Sequence, residues 1–491
     1  MERGNLREDV HASCRQEIAV LHAMVAELKA ENAGLRQLRV ENAALKERVE
    51  HLEWRLNQNS RNSSMPPSSD APSAPPRPKK PPTGRKPGGQ PGHEGHEREF
   101  LPLAEVDKVV ALKPKRCRRC RQRLSGEDAD PLRHQVVEIP PVQPQVTEYR
   151  RHRLICKECG ETTTAELPPG IPEGMVGPRL RAMIGYLSGK AHQSKRMIRE
   201  MLRDLLGVNL SVGTIKKVEE AVSGALEAPV QEAHAYVQQQ KVANADETSW
   251  WQRNRLTWLW VARTMRVTVF LIHPSRGAQA ARELLGRFAG YLGTDRWGGY
   301  NGWAIRMRQM CWAHLIRDFR GFVERGKGAG PIGEALLGEV QKMFSLWHRV
   351  RDGTLARSTF RKHMGPIRRR VGCLLRAGVG CGETKTQGMC RKILQVEPAL
   401  WTFVRIEGVE PTNNAAERAI RPAVLYRKRC LGTQSAEGSR FVERMLTVVT
   451  TLRQQNRDIL VYLTQACQAA QTGKLAPSLL PDLRRGTMVA A

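Results

Sequence analysis

The chain has 491 residues, with 79 Lys and Arg against 49 Asp and Glu for a formal net charge of +30. That length exceeds one ordinary core and predicts about three domains. No apolar run approaches the roughly 18 residues of a membrane span, and the opening MERGNLREDVHASC holds no apolar signal core, so a cytoplasmic protein is expected. Such a cationic excess excludes little but favours a polyanionic partner, above all nucleic acid. Eleven cysteines in that compartment point to metal sites and buried thiols rather than disulfides.

Residues 16–58 carry heptads. Ile18, Leu21, Val25, Leu28 and Leu35 set one seam and Leu38, Leu45, Val49, Leu52 and Leu56 a second, joined by a three-residue step that overwinds a coil locally. Asn32 and Asn42 fall at seam positions, where an amide fixes register. An amphipathic helix folded on the chain's own core is the alternative. The narrow stripe and densely charged flanks favour self-association.

The segment 59–92 has ten prolines, six basic residues and one acid, Asp70. It cannot build a core and reads as an extended basic tether. Lys79, Lys80, Arg85 and Lys86 either contact phosphates or keep the linker soluble. His93 and His96 read as loop residues.

Cys117-x-x-Cys120 and Cys156-x-x-Cys159 are two turn-like knuckles separated by expected strands at 135–139 and 145–149. Four thiolates in two such pairs suit tetrahedral Zn²⁺ in a structural role. Arg116, Arg118, Arg119, Arg121 and Arg123 crowd the first pair, where they favour thiolate and are candidates to touch DNA.

From Gly177 to about Ala228 the pattern is helical. Gly207 breaks it, and Ser211 reads as the N-cap of the next helix. Two helices at a glycine turn resemble a helix-turn-helix with Thr214, Lys216 and Lys217 outward. A plain helical linker fits equally.

VANADETSWW (242–251) then delivers Asp246 at the end of an apolar strand, where a carboxylate is costly unless paired or metal-bound. Leu256–Arg263 and Val267–Ile272 read as the next two strands of a meander. Residues 278–288 read as a helix, and Tyr291–Thr294 as a strand delivering Asp295. This is the layout of a ribonuclease-H-like core. A fifth strand enters a helix within MRQMCWAHLIRDF (307–319), where His314 either positions DNA or anchors the core. A basic, mostly helical stretch from about Gly321 to Val404 follows. In EPTNNAAERAIRP (410–422), Thr412 or Asn413 caps a helix whose first or second turn holds Glu417. Arg418 and Arg421 lie beside this third acid, and Arg427, Lys428 and Arg429 follow.

Taken with NSSMPPSSD, GRKPGGQPGH, the CxxC pairs, CWAH and TNNAAERAIRP with its trailing RKR, the chain resembles, nearly end to end, a transposase of the insertion-sequence 66 family. The resemblance implies an α/β fold: a ribonuclease-H-like DDE catalytic core with a helical insertion, preceded by a coiled coil, a zinc ribbon and a helical DNA-binding-like segment. The expected domains are a coiled coil (1–58), a Pro/Gly-rich basic linker (59–100), a zinc-binding domain (101–170), a helical segment (171–235), a catalytic domain (236–465, with its insertion at about 321–404) and a C-terminal tail (466–491). Its triad carries over to Asp246, Asp295 and Glu417. Members usually show Asp-Gly-Tyr at the second acid, whereas this chain has Asp295-Arg296-Trp297.

Three carboxylates are hard ligands for Mg²⁺ or Mn²⁺, suited to in-line phosphoryl transfer without a protein–DNA bond. The expected activity is metal-dependent cleavage and strand transfer at the ends of an insertion sequence. The expected partners are double-stranded DNA (element ends and target), a second copy of the chain through the coiled coil, and small accessory transposition proteins, with no membrane. The expected DNA contacts are Lys79, Lys80, Arg85, Lys86, Arg118, Arg119, Lys216, Lys217, Arg418, Arg421, Arg427 and Lys428, in a bacterial, nucleoid-associated setting. The alternative is a non-enzymatic zinc-containing DNA-binding protein or a decayed transposase, against which the presence of all three acids argues.

Overall fold

A computed structural model describes residues 5–56, 100–172, 174–326 and 328–481. Lys79, Lys80, Arg85, Lys86, His93 and His96 fall outside them, as do the side chains of Ile18 and Leu56.

Helix α1 (Asn5–Leu56) is 52 residues long. Its stripe of Leu21, Val25, Leu28, Leu35, Leu38, Leu45, Val49 and Leu52 is exposed. Strands β1 (Arg153–Ile155) and β2 (Thr162–Thr164) form an antiparallel hairpin around the second cysteine pair. The strands expected at 135–139 and 145–149 are absent. Pro140, Pro141 and Pro144 remove the donors a ladder requires, and Val136, Ile139 and Val146 lie in solvent rather than on a core face.

The expected helical segment is present as α2 (Pro178–Gly189), α3 (Lys195–Leu206), α4 (Val212–Ala225) and α5 (Glu227–Gln238). Gly207 ends α3 at φ +65°, a left-handed cap that glycine adopts without a Cβ penalty. Ser211 caps α4, accepting the Thr214 N–H at 3.0 Å, as its position predicts.

Next come β3 (Val242–Gln252), β4 (Arg255–Arg263), β5 (Thr268–His273), α6 (Ala278–Leu285), β6 (Tyr291–Thr294) and β7 (Arg308–Met310). Helix α6 stops three residues short of the expected end because Gly286 takes φ +53°. The remaining helices are α7 (Trp312–Glu324), α8 (Gly330–Arg351), α9 (Arg357–Val379), α10 (Thr384–Gln395), α11 (Glu397–Leu400), α12 (Thr402–Arg405), α13 (Asn414–Cys430), α14 (Ala436–Gln454) and α15 (Ile459–Gln471). The fold is mixed α/β, with a five-stranded sheet of order β5-β4-β3-β6-β7. Strands β4 and β5 pair antiparallel, whereas β3–β6 and β6–β7 pair parallel. Among the described residues, no helix is long and apolar enough to cross a membrane.

The chain divides into two compact units: Met1–Ala74 with Lys241–Ala245 and Gly290–Ala415, and Pro75–Gln240 with Asp246–Ala289 and Ala416–Ala491. The first unit holds an aromatic core in which Trp312, Phe319, Phe322, Trp347, Phe360, Trp401 and Phe403 are buried together. Buried Gln309 and Trp312 both donate to the carbonyl of Leu400, at 3.2 and 2.8 Å, so α11 is tied to β7 and α7 by polar as well as apolar contacts.

In the second unit, strand β5 ends the sheet, and an uncovered sheet edge invites pairing with other chains. Helix α14 covers it with side chains. Thr451 and Thr447 accept the N–H groups of Thr268 and Phe270, each at 3.1 Å, and Glu443 accepts that of Ile272. These three acceptors follow one another at i, i+4 and i+8, one face of the helix. Every second amide of an edge strand is thereby satisfied.

Candidate functional site

Asp295 lies in the first unit, directly after β6. Its Oδ1 accepts the N–H of Trp297 at 2.9 Å, which pins the carboxylate to the strand end. Thr294 is buried and accepts from Arg308 at 3.3 Å, while a second nitrogen of Arg308 reaches Asn301 at 3.1 Å. Arg308 is only 2% exposed. Burial works against its charge and the carboxylate of Asp295 supports it, so a sequestered cation stands near the acid.

Arg296, which follows Asp295, ion-pairs with Asp318 of α7 and places Nη1 3.3 Å from Met389 Sδ of α10. Burial pushes the Asp318 carboxyl upward, and Arg296, Arg317 and Arg325 oppose that shift. This partner of the departing Arg-Trp dipeptide carried no signal in the sequence. His314 is held down to about 4, mainly by burial and then by Arg317, with Asp295 opposing. It is therefore neutral near pH 7.

Register then aligns the strands that carry the first two acids; β3 runs on to Gln252, so Asp246 lies inside the strand and not at its end as the apolar run suggested. Val242, Ala243 and Asn244 pair in parallel with Tyr291, Leu292 and Gly293. Asp246 and Asp295 each follow the Asn244↔Gly293 pair by two residues. A Cβ on Gly293 would meet Asn244 Nδ2 at 2.3 Å, so the glycine leaves the passage that this amide crosses. Beyond it, Asn244 donates to Asn413 Oδ1 at 3.0 Å, and Asn413 donates to the Ala245 carbonyl at 2.8 Å. The backbone N–H of Asn413 reaches Cys311 Sγ at 3.2 Å. Asn413, placed as a helix cap by the sequence, therefore turns its side chain to β3.

Asp246 and Glu417 belong to the second unit, and both are half-buried. Asp246 Oδ1 accepts the N–H of Glu247 at 3.0 Å. Glu247 is bound to Arg276 at 2.9 Å with its own side chain 2% exposed, and Arg276 lies 4.7 Å over the Trp258 ring. That commitment makes it a structural ion pair. Glu417 sits in the first turn of α13. Arg418, Arg421 and Lys428 are exposed along this helix. Arg427 instead reaches β3, donating to Thr248 Oγ1 at 3.2 Å and to Ser249. Gly432, at φ +94°, passes so close to Trp251 that a Cβ would meet its carbonyl at 2.0 Å. These contacts fasten the end of α13 to the strand bearing Asp246.

The two cysteine pairs, also in the second unit, share one backbone design. Cys117 N–H donates to Gln122 O at 2.9 Å and Arg121 N–H to Cys117 O at 3.1 Å. In the other loop Cys156 N–H donates to Glu161 O at 2.8 Å and Gly160 N–H to Cys156 O at 3.0 Å. Arg121 (φ +63°) and Gly160 (φ +72°) occupy the same left-handed position. The Cys117 thiol is drawn below its usual range by the amides of Cys120 and Arg119, and that of Cys156 by those of Cys159 and Glu158. Among the described residues, no three of the four sulfurs lie within 4.8 Å of one another. Arg118, Arg119, Lys216 and Lys217 are exposed, Lys216 within 3.2 Å of Glu220.

Residues 173–440 match a family model described as Transposase IS66 family. Residues 17–99 match a second, described as a family of unknown function, DUF6444. Among curated proteins, the chain is similar to the uncharacterized protein y4hP of Sinorhizobium fredii (strain NBRC 101917 / NGR234). Identity is 25% over 403 residues, covering 72% of this chain and 70% of that one. The uncharacterized protein y4qI of the same strain is 26% identical over 234 residues, 42% of each chain.

Proposed function

The chain belongs to the IS66 family of transposases, and from that premise we propose that it cuts and joins DNA through the carboxylates of Asp246, Asp295 and Glu417. The observation that carries this reading is the bracing of the residues before each acid. Asn244 and Gly293 are register partners two residues ahead of Asp246 and Asp295. Asn413, four residues ahead of Glu417, binds both Asn244 and Ala245. Strand segments and a helix start held this tightly are what a preorganised acid set requires. A ribonuclease-H-like core is supported by the succession of three strands, a helix and two further strands in a sheet of order β5-β4-β3-β6-β7, with Asp246 inside the first strand and Asp295 directly after the fourth.

The donor set fits a hard divalent ion, since all three side chains offer carboxylate oxygens. Mg²⁺ or Mn²⁺ bound there supplies Lewis-acid polarisation of a phosphoryl oxygen. The chain's residues do the positioning. The Trp297 amide orients Asp295, and buried Arg308 offsets part of its charge. Neutral His314 adds no cation to the surroundings. Exposed Arg418, Arg421 and Lys428 offer phosphate contacts along α13. Cys117, Cys120, Cys156 and Cys159 would hold Zn²⁺ as four thiolates, and the ion would supply a structural cross-link between the two loops. The exposed stripe of α1 joins two copies of the chain, and an in-line attack by water, then by the freed 3′-hydroxyl, gives cleavage and strand transfer.

The test is direct. Purified protein is incubated with duplexes carrying the ends of the element that encodes it, with Mg²⁺, Mn²⁺ or chelator. Metal-dependent 3′-hydroxyl ends and joined products are expected. Binding without either product would return the chain to the non-enzymatic reading.

A further inference from the structure

We propose that one face of helix α9 is a docking surface for the phosphate backbone of double-stranded DNA, a step that rests on the DNA-processing reading but concerns different residues. The helix has seven Lys and Arg and no Asp or Glu across 23 residues. For an ordinary solvated helix face both signs are expected, because i,i+4 pairs of opposite charge support it. This helix forgoes them.

Its cations divide into two sets. Arg357 donates to the carbonyls of Phe403 and Ile406 at 2.7 and 2.8 Å, and Arg361 to those of Val404 and Arg405 at 3.3 and 3.0 Å. Arg368 forms a two-pronged pair with Glu397 at 2.8 and 3.1 Å. These three hold the fold together. Lys362, Arg369 and Arg376 are exposed and stand at i, i+7 and i+14, one stripe about 21 Å long at 1.5 Å per residue. Lys362 and Arg369 have no ion pair or side-chain hydrogen bond with any described residue. Arg376 has only a 3.6 Å contact to Cys373 Sγ. Arg370 adds a fourth charge, 3.9 Å from Glu339.

The surface between these cations is low. Gly365 has nothing within 4 Å of where its Cβ would be, and Pro366, Cys373 and Ala377 are small and exposed. A shallow depression of about 530 Å³ is lined by Pro366, Arg369, Arg370, Cys373, Leu374 and Ala377. Long cationic side chains flanking a low floor suit a polyanion that approaches along the helix, and charge complementarity selects nucleic acid. The floor offers few groups to read base edges, so the contact is expected to be independent of sequence.

The experiment measures binding of the full-length protein to a duplex over a range of salt. Wild type is compared with Lys362→Gln/Arg369→Gln/Arg376→Gln and with Arg349→Gln/Arg391→Gln/Lys392→Gln, which removes equal charge off the stripe. Each lost phosphate contact lowers the salt slope by about 1, so the stripe variant should lose about 3 and the control less than 1. Lys362→Arg/Arg369→Lys/Arg376→Lys should bind like wild type. Equal slopes for wild type and the stripe variant, or equal losses in both Gln variants, would overturn the proposal. Absence of DNA binding by wild type would instead sink the functional reading beneath it.

Discussion

Asn413 donates its side-chain amide to the carbonyl of Ala245 at 2.8 Å while accepting from Asn244, so one buried side chain clamps β3 just ahead of Asp246. Its 1% exposure means that removal strands the polar groups it served. Asn413→Ala should cost about 2–3 kcal/mol of stability, the penalty for leaving buried groups unsatisfied. Activity should fall further than the loss of folded protein explains, because the clamp sets the position of an acid. Thermal unfolding with cleavage rates normalised to folded protein checks both. A variant that melts earlier yet cuts normally would reduce Asn413 to a structural role.

How much of this was legible beforehand follows from the range of the interactions. The strands and the helices 178–225 were readable because apolar periodicity and local caps such as Ser211 decide them. The acids stood out as charges at the ends of apolar runs. The Asn244–Asn413 pair was not readable, since it joins positions 169 apart and neither residue breaks a local pattern. Asp318, the partner of Arg296, was hidden for the same reason. The false strands at 135–149 show the opposite failure: alternation of apolar residues was present, but no packed face existed to receive it.

The second prediction concerns pH. Burial raises the Glu443 carboxyl to about 7 from its ordinary 4.5, against the opposing bond from Ile272. A carboxyl raised in the folded state holds its proton longer than the unfolded chain does, so its contribution is complete below pH 4.5 and is lost as pH rises toward 7. That difference corresponds to roughly 3 kcal/mol. Glu443→Gln keeps an acceptor for the Ile272 amide and removes the titration. Denaturant unfolding at pH 5 and pH 7.5 should show wild type weakening across the interval and the variant much less so. Identical slopes in the two proteins would remove Glu443 as the cause.

The third prediction uses the matched cysteine loops. Freshly purified protein should carry one Zn²⁺ per chain, lost in Cys117→Ser. Arg121 holds a φ of +63° where the other loop has Gly160, and a left-handed non-glycine residue costs about 1 kcal/mol. Arg121→Gly should therefore retain zinc against a competing chelator at least as well as wild type. Zinc-free wild-type protein on metal analysis would end the assignment, and faster zinc loss from Arg121→Gly would show the arginine itself to be needed.

The last prediction separates the acids by role. Asp246→Asn, Asp295→Asn and Glu417→Gln keep side-chain size while removing the charge that binds a divalent ion. Each should leave DNA binding and the melting temperature near wild type and abolish Mg²⁺-dependent cleavage and joining. The losses should be far from additive, since residues that act as a unit fail together. Glu247→Gln adjoins Asp246 but breaks the Arg276 pair at 2.9 Å, in a side chain almost fully enclosed. Arg276, the partner left behind, is 37% exposed and stays solvated, so the cost should be only about 1–2 kcal/mol, and this variant should melt somewhat earlier and still cut DNA at a temperature where it is folded. Arg276→Met with Glu247→Gln should recover part of that stability, because no uncompensated charge remains. If folded Glu247→Gln is inactive while Asp246→Asn cuts, the metal-facing acid of β3 is Glu247 and the assignment moves by one residue. If all three carboxamide variants cut normally, the three acids are not the catalytic set.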